Sequence, residues 1–182
     1  MYTADVRKVV NAGLTTTGSN YPARLEKAKD LTDIFEIVKD AVSAQLGLSR
    51  GGLMLGIAEL GGRPDSWIGG FYPVATNIIV MNKGPMSRIL SEQPELYKSY
   101  CFHILLHEYI HTVGYMDEAL TRKRALEISE RLFGKDHLAT KMASDITQFF
   151  PYLTYAVPTE PPEDVNMELV KGFDRSCASY IF

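Results

Sequence analysis

The chain has 182 residues, 46% of them hydrophobic and 23% charged, with a formal net charge of −3, which suffices for one domain with its own core. The acidic balance offers no basic footprint for nucleic acid, no apolar run approaches the roughly 18 residues needed to span a bilayer, and two cysteines, Cys101 and Cys177, make no disulfide framework. The opening Met1–Lys8 lacks a charged region followed by an apolar one, so the expectation is a cytoplasmic protein without membrane or nucleic-acid partners.

Residues 1–30 hold a short amphipathic piece and then a loop, Thr15 to Pro22. Asp30 or Thr32 can cap a helix running to about Leu46, with Leu31, Ile34, Phe35, Val38, Val42 and Leu46 on one side and Gly47 ending it. Leu53 to Leu60 is a buried strand, followed by a turn at Gly61-Gly62-Arg63-Pro64-Asp65. Trp67 to Tyr72 suggests a second strand weakened by Gly69 and Gly70. Asn77 to Asn82 is a short strand, and Lys83-Gly84-Pro85 breaks it. Ser91-Glu92-Gln93-Pro94-Glu95 starts a helix, on which Leu96, Tyr97, Tyr100, Ile104 and Leu105 recur at helical spacing until Gly114. Asp117 is a good N-cap for a helix reaching Gly134, with Ala125, Leu126, Ile128, Leu132 and Phe133 on one face. A last helix lies near 137–149. After Phe150-Pro151 the composition changes: 157–164 is proline-rich and acidic and should be extended, and 173–182 ends in an apolar tip. The division is a domain over 1–150 and a tail over 151–182 that packs on or over it, with autoinhibition of a cleft as one outcome.

Within the long helix, residues 107–111 are His-Glu-Tyr-Ile-His. Four residues is slightly more than one turn, so His107 and His111 project from one face. Two imidazoles so placed can hold one Zn²⁺. Glu108 lies around the helix from the pair, close enough to take a proton from a water attacking a carbonyl carbon. His103 extends the ladder to three histidines spanning roughly 12 Å, too far for one ion, and is assigned a structural role. His137 is assigned none.

A catalytic zinc takes three protein ligands and keeps one open position. Candidates for the third are Asp117, Glu118, Glu127, Glu130 and His137. Glu130 would lie roughly 20 Å along the returning helix, and Glu127 and Glu130 sit beside Arg124 and Arg131 as a solvated face. Asp117 and Glu118 lie beside the bend. Glu118 projects onto the apolar side of its helix, which is odd for a carboxylate without a partner. Asp117 is favoured, because Gly114 lets the chain turn sharply under the metal; a plain N-cap is the alternative.

His107 to Asp117 resembles the active-site helix of zincin metallopeptidases, in the metzincin-type spacing HExxHxxGxx(H/D) with Asp117 at the last position, as in snapalysin-like proteases. The chain is also similar to very small archaeal gluzincins, in which a Glu on the following helix is the third ligand; Glu130 has that kind of spacing. The resemblance implies an α+β, minimal zincin-like fold: a backing helix and a small mixed sheet over the HExxH helix, then further helices. It implies a zinc-dependent peptidase acting on peptide or protein substrates, with one Zn²⁺ on His107, His111 and Asp117, and Glu108 as general base. Ile78 to Asn82 becomes the candidate edge strand for substrate, with a central strand as the alternative. Tyr115 is a candidate oxyanion stabiliser by position. Two other classes stay open. One is a metal-dependent endoribonuclease, against which Glu108 and the acidic balance weigh; the other is a catalytically inactive metal-binding or interaction module.

Overall fold

A computed structural model describes residues 20–155 and 166–175. The expectations for 1–19, for the extended stretch 157–164, for Cys177 and for the apolar tip at 179–182 lie outside the described residues.

The described chain is mixed α and β, with six helices and a small mixed sheet. The first helix, α1, is Tyr21–Lys27, capped by Asn20, whose side chain accepts from Ala23 N. Helix α2, Leu31–Leu46, starts at Asp30, whose carboxylate accepts from Asp33 N, and stops at Gly47 in the left-handed conformation (φ 65°). Its apolar side packs on the long central helix, with Phe35 edge-on to Tyr109 at 5.4 Å.

Strands β1 (Met54–Ala58), β2 (Trp67–Ile68), β3 (Gly70–Phe71) and β4 (Ile78–Asn82) follow. The stretch expected as a single strand over Trp67 to Tyr72 divides at Gly69 into two pieces in different sheets. The cause is close packing. A Cβ on Gly69 would lie 2.7 Å from Ile104 Cδ1, and one on Gly70 would lie 2.8 Å from the Val80 carbonyl oxygen. Only glycine lets this backbone come so near both the helix below and the strand beside it.

Strand β4 is flanked on both sides: it runs parallel to β1 and antiparallel to β3. Its role as an edge strand for substrate is therefore corrected; it is central, as its buried Ile79, Val80 and Met81 require. The edges of this four-stranded sheet are β3 and β6 (Met167–Leu169), in the order β3-β4-β1-β6.

Lys83-Gly84-Pro85 ends the strand as expected, and the same residues open a helix that was not expected, α3, Lys83–Glu92. Proline is tolerated in a first turn because its missing N–H has no intrahelical partner there. A kink at Gln93 separates α3 from α4, Pro94–Thr112. Then come α5, Glu118–Phe133, and α6, Leu138–Ser144. The last helix is shorter than expected, because Asp145 is extended and caps a separate 3₁₀ turn at Ile146–Gln148. Strand β5, Leu153–Thr154, pairs in parallel with β2.

The described parts of 151–182 are woven into the body. Leu153 is buried, β6 adds to β1 in antiparallel register, and Phe173 stacks on Phe35 with centroids 4.0 Å apart. Asp174 bonds Lys39 Nζ at 2.8 Å and accepts from Leu53 N at 3.2 Å. No helix among the described residues is long and apolar enough to cross a membrane.

Candidate metal centre

Helix α4 is buried on almost every side from Ser99 to Thr112. It lies between α2, the sheet, α5 and α6, which explains an apolar pattern that runs around the helix rather than along one stripe. Four polar or ionisable side chains on it, His103, His107, Glu108 and His111, are each at most 3% exposed. Buried groups of this kind need partners, and their partners define the centre.

The turn after α4 supplies the first. Gly114 has φ 112° with nothing near its missing Cβ, and Tyr115 N–H closes back on Ile110 O at 3.3 Å. The Tyr115 carbonyl then lies 2.6 Å from His111 Nδ1, and it also accepts from Thr121 Oγ1 at 3.0 Å. A carbonyl can only accept, so His111 carries a proton on Nδ1. In the neutral ring Nε2 is then the lone-pair nitrogen, and it is aimed at the interior.

That nitrogen faces His107 and Glu118. His111 Nε2 is 3.2 Å from His107 Nε2 and 2.9 Å from Glu118 Oε1, and His107 Nε2 is 3.3 Å from Glu118 Oε2. The ligand atoms of a tetrahedral ion with bonds of 2.0–2.1 Å stand about 3.3 Å apart. The two imidazole nitrogens stand close to that edge, the contacts to the carboxylate run to different oxygens, Oε1 from His111 and Oε2 from His107, and a set of two imidazoles and one carboxylate suits zinc. His107, His111 and Glu118 could hold a metal ion between them, and the donor set fits one. His107 Nδ1 and Glu118 Oε2 have no hydrogen-bond partner.

The carboxylate here is Glu118, not Asp117. Asp117 turns outward and caps α5, its Oδ1 accepting from Leu120 N at 2.7 Å. Glu118, the first residue of α5, points back under α4. Burial works to raise its carboxyl, yet the imidazoles of His107 and His111 outweigh burial and hold it below its ordinary value. His107 is pushed down by burial, against the pull of Glu118. The other candidates lie elsewhere. Glu127 pairs with Arg124 at 2.7 Å, Glu130 is exposed, and His137 caps α6, its Nδ1 accepting from Ala139 N at 3.1 Å. Tyr115 contributes its carbonyl; its ring lies under the Arg124 guanidinium at 5.9 Å.

Glu108 is 3% exposed, and its Oε2 has no partner. Burial, reinforced by the negative charge of Glu118, pushes its carboxyl well above the ordinary range, against a bond from the Tyr72 backbone N–H. Tyr72 directly follows β3, so the sheet edge that glycine brings against α4 also delivers a donor to Glu108.

Tyr155 completes the wall and was not among the expected residues. Its ring stacks on His107 (4.5 Å, 25°), and its hydroxyl lies 2.8 Å from His103 Nε2. His103, assigned a structural role from the sequence, thus pairs with a tyrosine hydroxyl. Tyr155 lies 48 residues from His107, and no local pattern marks it; only the buried, otherwise unpaired His103 signalled that a partner was needed.

Compared with protein-family models, with curated proteins and with solved structures, the chain matches none.

Proposed function

We propose that the protein is a zinc-dependent peptidase of the zincin kind, with His107, His111 and Glu118 as the metal ligands and Glu108 as the general base. The observation that carries this is the convergence of His107 Nε2, His111 Nε2 and both Glu118 oxygens at 2.9–3.3 Å in a buried site. The backing helix α2, the small sheet and α4 beneath it agree with such a fold. The peptidase assignment rests on this donor set beside an unpartnered carboxyl.

Zinc, when bound, supplies a Lewis acid that polarises a carbonyl and lowers the pKa of a coordinated water toward about 7. The Tyr115 carbonyl fixes the His111 ring and tautomer, so that Nε2 is always the ligating atom. Tyr155 holds the His107 ring by stacking. Glu108 Oε2 takes the proton from the attacking water and passes it to the leaving amine. Burial suits it to this, because a carboxylate in an apolar setting is a stronger base than one in water. The Tyr72 N–H holds the carboxyl in place during the transfer. Strand β3 is the sheet edge beside Glu108, and an extended substrate would add along it.

The test combines metal analysis with a broad peptide library. Purified protein supplied with zinc should hold one ion per chain and cleave. Glu108→Gln should keep the ion and lose hydrolysis, whereas His111→Ala should lose both. Stoichiometric zinc without cleavage of any peptide would overturn the peptidase assignment. Full activity in Glu108→Gln would overturn the role given to Glu108.

A further inference from the structure

Beside the centre, a cleft of about 400 Å³ opens between α5 and the α6–3₁₀ segment, lined in part by Ala119, Arg122, Lys123, Asp145, Thr147 and Tyr155. Two of its lining residues neighbour the candidate ligands. Ala119 follows Glu118 in the chain, and Tyr155 is the ring stacked on His107. Arg122 sits one turn after Glu118, its Nε donating to the Glu118 carbonyl at 3.4 Å and its guanidinium 5.6 Å from the Tyr155 ring centroid.

Charge in this cleft is unbalanced. Among the described residues, Arg122 and Lys123 form no ion pair, and the terminal nitrogens of Arg122 find no acceptor. The acid on the opposite wall, Asp145, is already engaged by its own turn. It accepts from Thr147 N at 3.0 Å, Thr147 Oγ1 at 2.5 Å and Gln148 Nε2 at 3.3 Å. Among the described lining residues, two exposed cations thus face one occupied carboxylate. A guanidinium held at Nε and against an aromatic ring keeps its outer fork free, and that fork matches a carboxylate in two-point geometry.

We propose that this cleft is a substrate subsite for an acidic side chain, glutamate or aspartate, bound by Arg122 with Lys123 adding charge. It rests on the peptidase assignment only in taking its ligand to be a peptide. The fork receives the carboxylate. Glutamine, equal in shape but uncharged, loses the charge-assisted bonds.

The experiment uses zinc-supplied Glu108→Gln protein, so that binding is read without turnover. The probes are positional libraries of acetylated, amidated octapeptides with Glu, Gln or Lys fixed at each place in turn, measured by competition anisotropy. At one or two adjacent places Glu should bind about tenfold more tightly than Gln, the size of one hydrogen bond to a charged group. Adding Arg122→Gln should bring that ratio to about one, and Arg122→Glu should turn the preference toward Lys. A Glu-to-Gln ratio within twofold at every place would overturn the proposal, as would a preference that survives Arg122→Gln combined with Lys123→Gln. If the unmutated protein cleaves none of the peptides while the Arg122-dependent preference persists, the subsite stands and the peptidase assignment falls.

Discussion

Gly70→Ala isolates the contact that brings the sheet to the candidate centre. Gly70 has no unusual backbone angle, so the added methyl is tested by space alone. Its Cβ would lie 2.8 Å from the Val80 carbonyl oxygen and 3.1 Å from Ile104 Cγ2. The first neighbour is backbone in a strand flanked on both sides and cannot withdraw; the second is a fully packed side chain one turn before Glu108. Relief must come from lifting β3 off α4. Overpacking of this kind costs about 1–3 kcal/mol, which for a chain of this size lowers Tm by roughly 2–12 °C. The hydrogen bonds and ring contacts of His107, His111 and Glu118 are not to β3, so one zinc per chain should remain. The Tyr72 N–H two residues on would move away from Glu108, so kcat should fall by more than the population of unfolded protein explains. Calorimetry, metal analysis and peptide hydrolysis on one preparation would measure all three. A variant with the Tm and kcat of the parent would refute the packing of β3 on α4, and a loss of zinc would refute the separation of the sheet contact from the ligands.

Three further outcomes are expected. Asp117→Ala removes a helix cap and should cost about 0.5–2 kcal/mol while zinc is retained; Glu118→Gln should instead weaken zinc by at least a hundredfold in competition titrations, and the reverse pattern would return the third-ligand role to Asp117. Phe173→Ala, which removes a ring 2% exposed and stacked on Phe35, should cost about 3–5 kcal/mol in denaturant melts; a cost under 1 kcal/mol would mean that the C-terminal segment is not part of the core. His103, pushed down to about 3 by burial and then by His107, should show no ring titration by NMR between pH 7 and 4.5. Its folded value lies below the ordinary 6.5, so protonation favours the unfolded chain. The stability it contributes is whole above pH 6.5 and falls away between 6.5 and 3; His103→Gln should remove that component of the acid sensitivity.

The helices could be read where caps and periodicity agreed. Asp30 and Gly47 bound α2, and Gly114 ends α4, because each of these residues satisfies a terminal backbone need by itself. Lys83-Gly84-Pro85 marked the end of β4 correctly, but Pro85 did not reveal the helix that begins there, since a proline is at home in a first turn. The division at Gly69 was beyond local pattern; it exists because Ile104, 35 residues later, comes within van der Waals range. The facing of His107 and His111 follows from helical pitch alone. Choosing between Asp117 and Glu118 does not, because neighbours in sequence point to opposite sides of a turn whose dihedrals are set by Gly114 and by the Tyr115 carbonyl seated on His111. The usable hint was a carboxylate on the apolar side of α5. Tyr155 and the basic cleft beside it depend on how β5 returns to α4, and nothing near them in sequence records that path.

X-ray absorption at the zinc edge tests the centre most directly. Protein never exposed to chelator and loaded with one equivalent of zinc should show nitrogen and oxygen neighbours at about 2.0–2.1 Å, with the outer-shell scattering of two imidazoles, and Glu118→Gln should change the oxygen contribution while both imidazoles remain. A failure to retain stoichiometric zinc, a spectrum with one imidazole or with sulfur, or a spectrum indifferent to Glu118 would contradict the assignment of His107, His111 and Glu118 as the ligands.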